Sequence, residues 1–227
     1  MKYLKIYLAI LFSIAHTGNS YAQNYFYTHL KVPLLEYIGV LSNQNNINPN
    51  NTTAGIIFNV GYAVNFAENF YTEIGVDYVV RSTVTNKFYE KPDLKNQIAE
   101  FKAQNSSIAL QVKPLYKISI DADDNTFLTF GAGINYQKLY GKGMFTNLVN
   151  TQNQLEEIKT SQSKFHVVIQ PEITIIFKTE KKFGYRLGLT YSYINWDKAT
   201  TNFSNNTNFT IPSNKSSTLF FSGGFIF

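Results

Sequence analysis

Apart from His16 near its amino end, the chain carries two histidines, His29 and His166, and either could act as a general base. Ser161 and Ser163 lie beside His166, so a Ser–His nucleophile is the first chemistry to consider. Such a nucleophile needs its base within hydrogen-bond reach and a third group to orient that base. No spacing here supplies the third group, and in a serine-rich chain His166 reads as an interior polar side chain. His29 and His166 fall at opposite ends of the elements described below, which rules out a shared metal site. No cofactor motif is present and no cofactor is expected. With no cysteine, the chain has neither disulfide nor thioether-linked lipid. Asn105-Ser-Ser and Asn208-Phe-Thr match the glycosylation pattern, but an Asn/Thr-rich composition generates such matches by itself.

The charged residues carry more information, because many sit at alternate positions among apolar ones. Glu73, Asp77 and Arg81 lie on one face of a segment, and Lys113 and Lys117 on one face of the next. His166 and Glu172 share a third segment, Arg186 lies on a fourth, and Glu36 is the acidic residue of the first. Counted from the segment ends, Glu73 comes level with Lys117 and Asp77 with Lys113, and Arg186 falls near Glu172. The expectation is an interior network of opposite charges that plugs a lumen, rather than a polar conduit.

Period-two alternation defines the elements that position these charges. It marks eight strands, near 28–41, 54–66, 70–83, 107–120, 126–140, 164–178, 183–196 and 216–227. In FHVVIQPEITIIFK, one face is Phe165, Val167, Ile169, Pro171, Ile173, Ile175 and Phe177; the other carries His166, Gln170, Glu172 and Lys178. Connections after the second, fourth and sixth strands are a few residues long (AEN, DADDN, TEK), and the others are much longer. That is the pattern of an up-and-down outer-membrane barrel with short periplasmic turns and long outer loops. A soluble barrel would bury the apolar face, yet eight strands enclose only side chains or one small ligand. The polar face is therefore expected inside and the apolar face against lipid. Pro33, Pro114 and Pro171 interrupt strands and mark bulges or near-interface positions. Glu36 is placed inside by analogy with the facing of Pro114 and Pro171. A helix over Leu155–Lys159 would be marginal in isolation.

The amino end fits export. Residues 1–22 have basic Lys2 and Lys5, an apolar run from Ile6 to Ala15, and a small-x-small close at Ser20 and Ala22, the form of a signal peptide. Residues 23–227 then form one all-β, eight-stranded antiparallel transmembrane barrel domain. Loss of the two leader lysines lowers the formal charge from +5 to +3, too weak and too dispersed for nucleic acid.

IALQVKPLYKI followed by FLTFGAGINYQ, then YRLGLTYSYIN and a terminal LFFSGGFIF, resembles the small eight-stranded outer-membrane barrels of the PorT-like and OmpX-like kind. The resemblance implies a membrane barrel with a surface or assembly role and no reaction. It also implies that the terminal aromatics Phe225 and Phe227 engage the barrel-assembly machinery, although Ser222 stands where some versions of that signal have glycine. The expected partners are outer-membrane lipid, the assembly machinery, and proteins met by the long loops. The expected role is non-enzymatic: adhesion, partner binding, envelope integrity or assistance to secretion. A narrow porin or transport channel is the alternative, and a lipid-modifying enzyme the third.

Overall fold

The computed structural model describes residues 24–41, 47–53, 55–90, 95–148, 155–156, 162–179, 183–195 and 213–227; the leader lies outside them. The strands are β1 (Tyr25–Leu41), β2 (Ile47–Thr53), β3 (Ile56–Ala67), β4 (Phe70–Tyr89), β5 (Gln97–Ser119), β6 (Thr126–Asn147), β7 (Leu155–Glu156), β8 (Gln162–Lys178), β9 (Gly184–Asn195) and β10 (Ser213–Ile226). Eight of them close a barrel in the order β1, β3, β4, β5, β6, β8, β9, β10 and back to β1, every pairing antiparallel. The seam is tied at the end that carries the short turns, where Phe26 and Phe227 exchange backbone hydrogen bonds of 3.1 and 2.8 Å.

Alternation decides facing. In β8, Phe165, Val167, Ile169 and Ile173 are exposed on the outside, whereas Val168, Gln170, Glu172, Thr174 and Ile176 are buried in the lumen. Thirteen residues at about 3.3 Å each, tilted near 45°, reach across about 30 Å, the hydrocarbon thickness of a bilayer. Rings collect at the short-turn border of this band: Phe66, Phe70, Tyr116 and Phe130 touch in succession at 5.2–6.2 Å, and Phe183 packs on Phe225 and Phe227 at 5.6 Å. At the outer border Tyr136 stacks on Phe165 at 5.0 Å. Two aromatic borders around an aliphatic band are what a lipid-facing barrel needs, since amphipathic rings settle at the headgroups.

Three features differ from the sequence expectation. The long connection after residue 83 is mostly strand: β4 runs on to Tyr89 and β5 begins at Gln97. With β6 they rise above the membrane band as a sheet whose inner face buries Phe88, Phe101 and Phe145. Leu155 and Glu156 are not helical; they pair with Thr146 and Phe145, because an open sheet edge offers the backbone partners that an isolated turn of helix lacks. The prolines act individually. Pro33 lies at a β1 bulge, and the β5–β6 ladder skips Pro114. The β6 ladder passes through Pro171 while pairing to β9 stops at Glu172, so the donor Pro171 lacks would have pointed toward β9.

Candidate functional site: the charged lumen

The lumen is layered. Its floor, at the short-turn end, is aromatic and aliphatic: Tyr71 stacks on Phe127 at 5.9 Å with an interplanar angle of 7°, Tyr25 lies 6.1 Å from Tyr71, and Leu115, Ile176 and Ile226 fill the gaps. Beneath this floor opens a recess of about 650 Å³ lined by Asn65, Glu68, Tyr71, Lys117, Ser119, Asp121 and Asp124 among others. Lys117 pairs there with Asp124 and lies 4.9 Å from the Phe127 ring.

Above the floor sits an ion cluster built by four strands. Lys113 of β5 reaches Glu73 of β4 at 3.1 Å and Glu172 of β8 at 2.7 Å. Arg186 of β9 grips both oxygens of Glu73, at 2.9 and 3.4 Å, and also binds Glu172 at 3.0 Å. Thr174 and Thr190 donate to Glu172 at 3.0 and 2.9 Å, and Tyr25 to Glu73 at 3.5 Å. The guanidinium stacks over Tyr27 at 4.8 Å. On its far side the Tyr27 phenol lies against Gly61 and Gly75, where an added Cβ would come within 2.5–2.6 Å of the hydroxyl. Only glycine lets that ring lie flat on the wall.

The next layer satisfies a carboxylate differently. Asp77 accepts from three amides: Asn59, Gln111 at 3.4 Å and Asn135 at 3.1 Å; Gln111 also donates to Asn135 at 2.8 Å. The Lys31 ammonium stands 3.6 Å from Asp77 and 3.9 Å from Glu172, coupling the layers. Among the described side chains, three buried carboxylates thus face three buried cations, Lys31, Lys113 and Arg186, and this set is formally neutral.

The pairings differ from those expected by height. Glu73 stands opposite Lys113, not Lys117, and Asp77 opposite Ala109. Closing a barrel tilts and staggers its strands; here β5 extends three residues below the level of Phe70, whose partner is Tyr116. Lys117 therefore drops below β4 and finds Asp124 in the turn. Glu172 and Arg186 do meet. His166 faces the lumen nearer the outside, half-buried. Glu36 pairs in register with Thr218, and the side chains of Glu36 and Arg81 lie outside those described, as does that of Ser163; Ser161 lies outside the described residues altogether. His29 is not at the rim. It is buried opposite Gly224, which in turn faces Arg186, because β1 starts at Tyr25, three residues earlier than expected. Tyr25 and Tyr27 precede the expected start of the strand for the same reason, and Lys31 lies buried on the face opposite the one that Glu36 was expected to mark, although odd-numbered alternation of Tyr25, Tyr27, His29 and Lys31 was available as a signal. Phe225 and Phe227 face outward.

An apolar belt with aromatic borders outside and a neutralised, side-chain-filled lumen inside define a transmembrane β-barrel of the outer-membrane kind. No family model matches the chain, and no curated protein sequence does. Solved structures of similar fold include OprG from Pseudomonas aeruginosa, 11% identical over 89% of this chain and 94% of that one with a TM-score of 0.46. Neisserial surface protein A is 12% identical over 91% and 98%, TM-score 0.42, and Ail of Yersinia pestis 11% over 90% and 97%, TM-score 0.40. The resemblance to small OmpX-like barrels holds for the closed eight-stranded architecture.

Proposed function

We propose that the protein is a non-enzymatic outer-membrane anchor whose barrel is plugged and whose outer sheet and loops meet partners. The plug reading rests on the neutral cluster of Glu73, Lys113, Glu172 and Arg186, each at most 5% exposed, seated on an aromatic floor. An ion entering there would have to separate pairs held at 2.7–3.1 Å in a low-dielectric setting, where the loss of one partner is costly. The rise of β4, β5 and β6 beyond the bilayer supports a role in presenting surface, whether in adhesion, partner binding, envelope integrity or assistance to secretion. Export by the leader and insertion through the strand ending at Phe225 and Phe227 belong to the same reading.

The test is conductance of the purified mature chain in planar bilayers. The plugged anchor carries little steady current; large, stable currents would instead make it a narrow channel lined by these charges. Cysteines at Asn48 and Glu90 should react with an impermeant thiol reagent on whole cells, and those at Asn69 and Asp123 should not. Labelling of the second pair would invert the orientation.

A further inference from the structure

The outer wall of the barrel carries a feature that anchoring and plugging leave unused. In Tyr136-Gln-Lys-Leu-Tyr-Gly-Lys142 of β6, Gln137, Leu139 and Gly141 are buried inside, so Tyr136, Lys138, Tyr140 and Lys142 face outward. Lysine on a lipid-facing wall is unusual, because a cation facing hydrocarbon is destabilising. Lys138 lies 5.3 Å from the ring centres of both Tyr140 and Phe165. It lines one end of an apolar groove of about 290 Å³. The floor is Ile108 and Leu110, one wall is the stacked pair Tyr136 and Phe165, and Val76 flanks the other side.

We propose that this groove binds lipid A of the outer leaflet, with an acyl chain on the Ile108–Leu110 floor and a headgroup phosphate on Lys138. An acyl slot with a cation at its outer end is complementary to an anionic lipid and to little else at that depth. Among the described residues no carboxylate lies within ion-pair distance of Lys138 or Lys142, whereas the neighbouring Lys102 has Glu100 at 2.5 Å. Rings on two sides hold the Lys138 ammonium at the border of the apolar band, where an ordinary interfacial lysine would extend into water. Lys142, four residues along the strand, stands about 13 Å higher up the strand. Two separated cations on one face favour a headgroup with two separated phosphates over a single-phosphate lipid. On the orientation proposed above, the placement at the long-loop end selects the outer leaflet. This assignment does not depend on whether the lumen conducts.

The test is native mass spectrometry of the intact mature barrel in detergent, titrated with bisphosphorylated lipid A, its dephosphorylated form and phosphatidylglycerol. Heat-modifiable gel mobility confirms that each variant is folded. Wild type should prefer bisphosphorylated lipid A. Lys138→Ala should weaken that binding about fivefold, the worth of one lysine near an anionic membrane surface. Lys138→Arg should retain most of it, and Lys102→Ala should leave it unchanged. Undiminished binding by folded Lys138→Ala overturns the site. Equal binding of phosphatidylglycerol or dephosphorylated lipid A by the wild type overturns the assignment to lipid A.

Discussion

Two lysines of the same strand, Lys102 and Lys113, each hold a carboxylate at nearly the same distance, 2.5 Å to Glu100 and 2.7 Å to Glu172. Lys102 stands on the outer sheet with 56% of its side chain exposed; Lys113 is in the lumen with 1%. By length alone they are equivalent. In water the exposed pair gives up about as much hydration as it gains in attraction and contributes little. In the lumen neither partner has water to return to, so each depends on the other. Asp77 shows a third solution, a buried carboxylate held by neutral amides. Burial and the identity of the donors, rather than distance, set what each contact contributes.

The largest expected effect breaks the buried end of this comparison. Lys113→Ala leaves Glu73 and Glu172 sharing Arg186 and gives the cross-section one uncompensated negative charge. It should cost about 3–5 kcal/mol in a denaturant titration of the refolded barrel. Adding Glu73→Gln to Lys113→Met restores neutrality and should recover much of the loss. A Glu73–Lys113 double-mutant cycle should show coupling of at least about 0.5 kcal/mol. If Lys113→Ala is as mild as a surface substitution, lumen water solvates these charges and the buried description fails.

The amide layer comes next. Asn135→Ala removes one donor to Asp77 and the acceptor for Gln111, and leaving buried polar groups short of partners typically costs about 1–3 kcal/mol. Asp77→Asn is expected to be gentler still, about 1–1.5 kcal/mol, the difference between charge-assisted and neutral hydrogen bonds. Asn59 Oδ1 has no partner in the native layer and could accept from the new amide. A loss from Asp77→Asn as large as that from Lys113→Ala would mean that Lys31, not the amides, holds Asp77.

What the sequence made legible follows from the range of the interactions involved. The facing of β8 is local, because Phe165 to Phe177 alternate whatever their neighbours do, and so are the short turns. The partners of Glu73 and Asp77 are not local. Their register comes from the stagger of a closed barrel, which displaced Lys113 and Lys117 by four residues against β4. β1 hid its role because its later part is apolar on both faces, and its ladder to β10 shifts register between Pro33 and Leu35. The outer sheet hid in part for a related reason: a register shift between Val79 and Ser82 of β4 moves its buried positions from odd to even numbers, from Val79 to Phe88, whereas Ala99, Phe101 and Ala103 of β5 keep one unbroken odd-numbered alternation.

The smallest effect tests the exposed end. Hydrogen bonding from Lys102 holds the Glu100 carboxyl below its ordinary value, with Gln97 Nε2 at 3.4 Å also donating. A carboxyl whose folded value is depressed adds stability above its unfolded value, and that contribution disappears as the pH falls through the folded one. The side chain of Lys102 is largely in water, so the contribution is discounted to that of a surface pair, below about 0.5 kcal/mol. Lys102→Ala should therefore leave the unfolding midpoint nearly unchanged at neutral pH. The carbon resonance of the Glu100 carboxyl should titrate at a higher pH, toward its ordinary value. Salt should shrink the difference further, since exposed charges are screened within about 10 Å at 0.1 M. A loss comparable to that of Lys113→Ala would show that the outer sheet is as sheltered as the lumen, and the contrast between the two lysines would then have to rest on something other than burial.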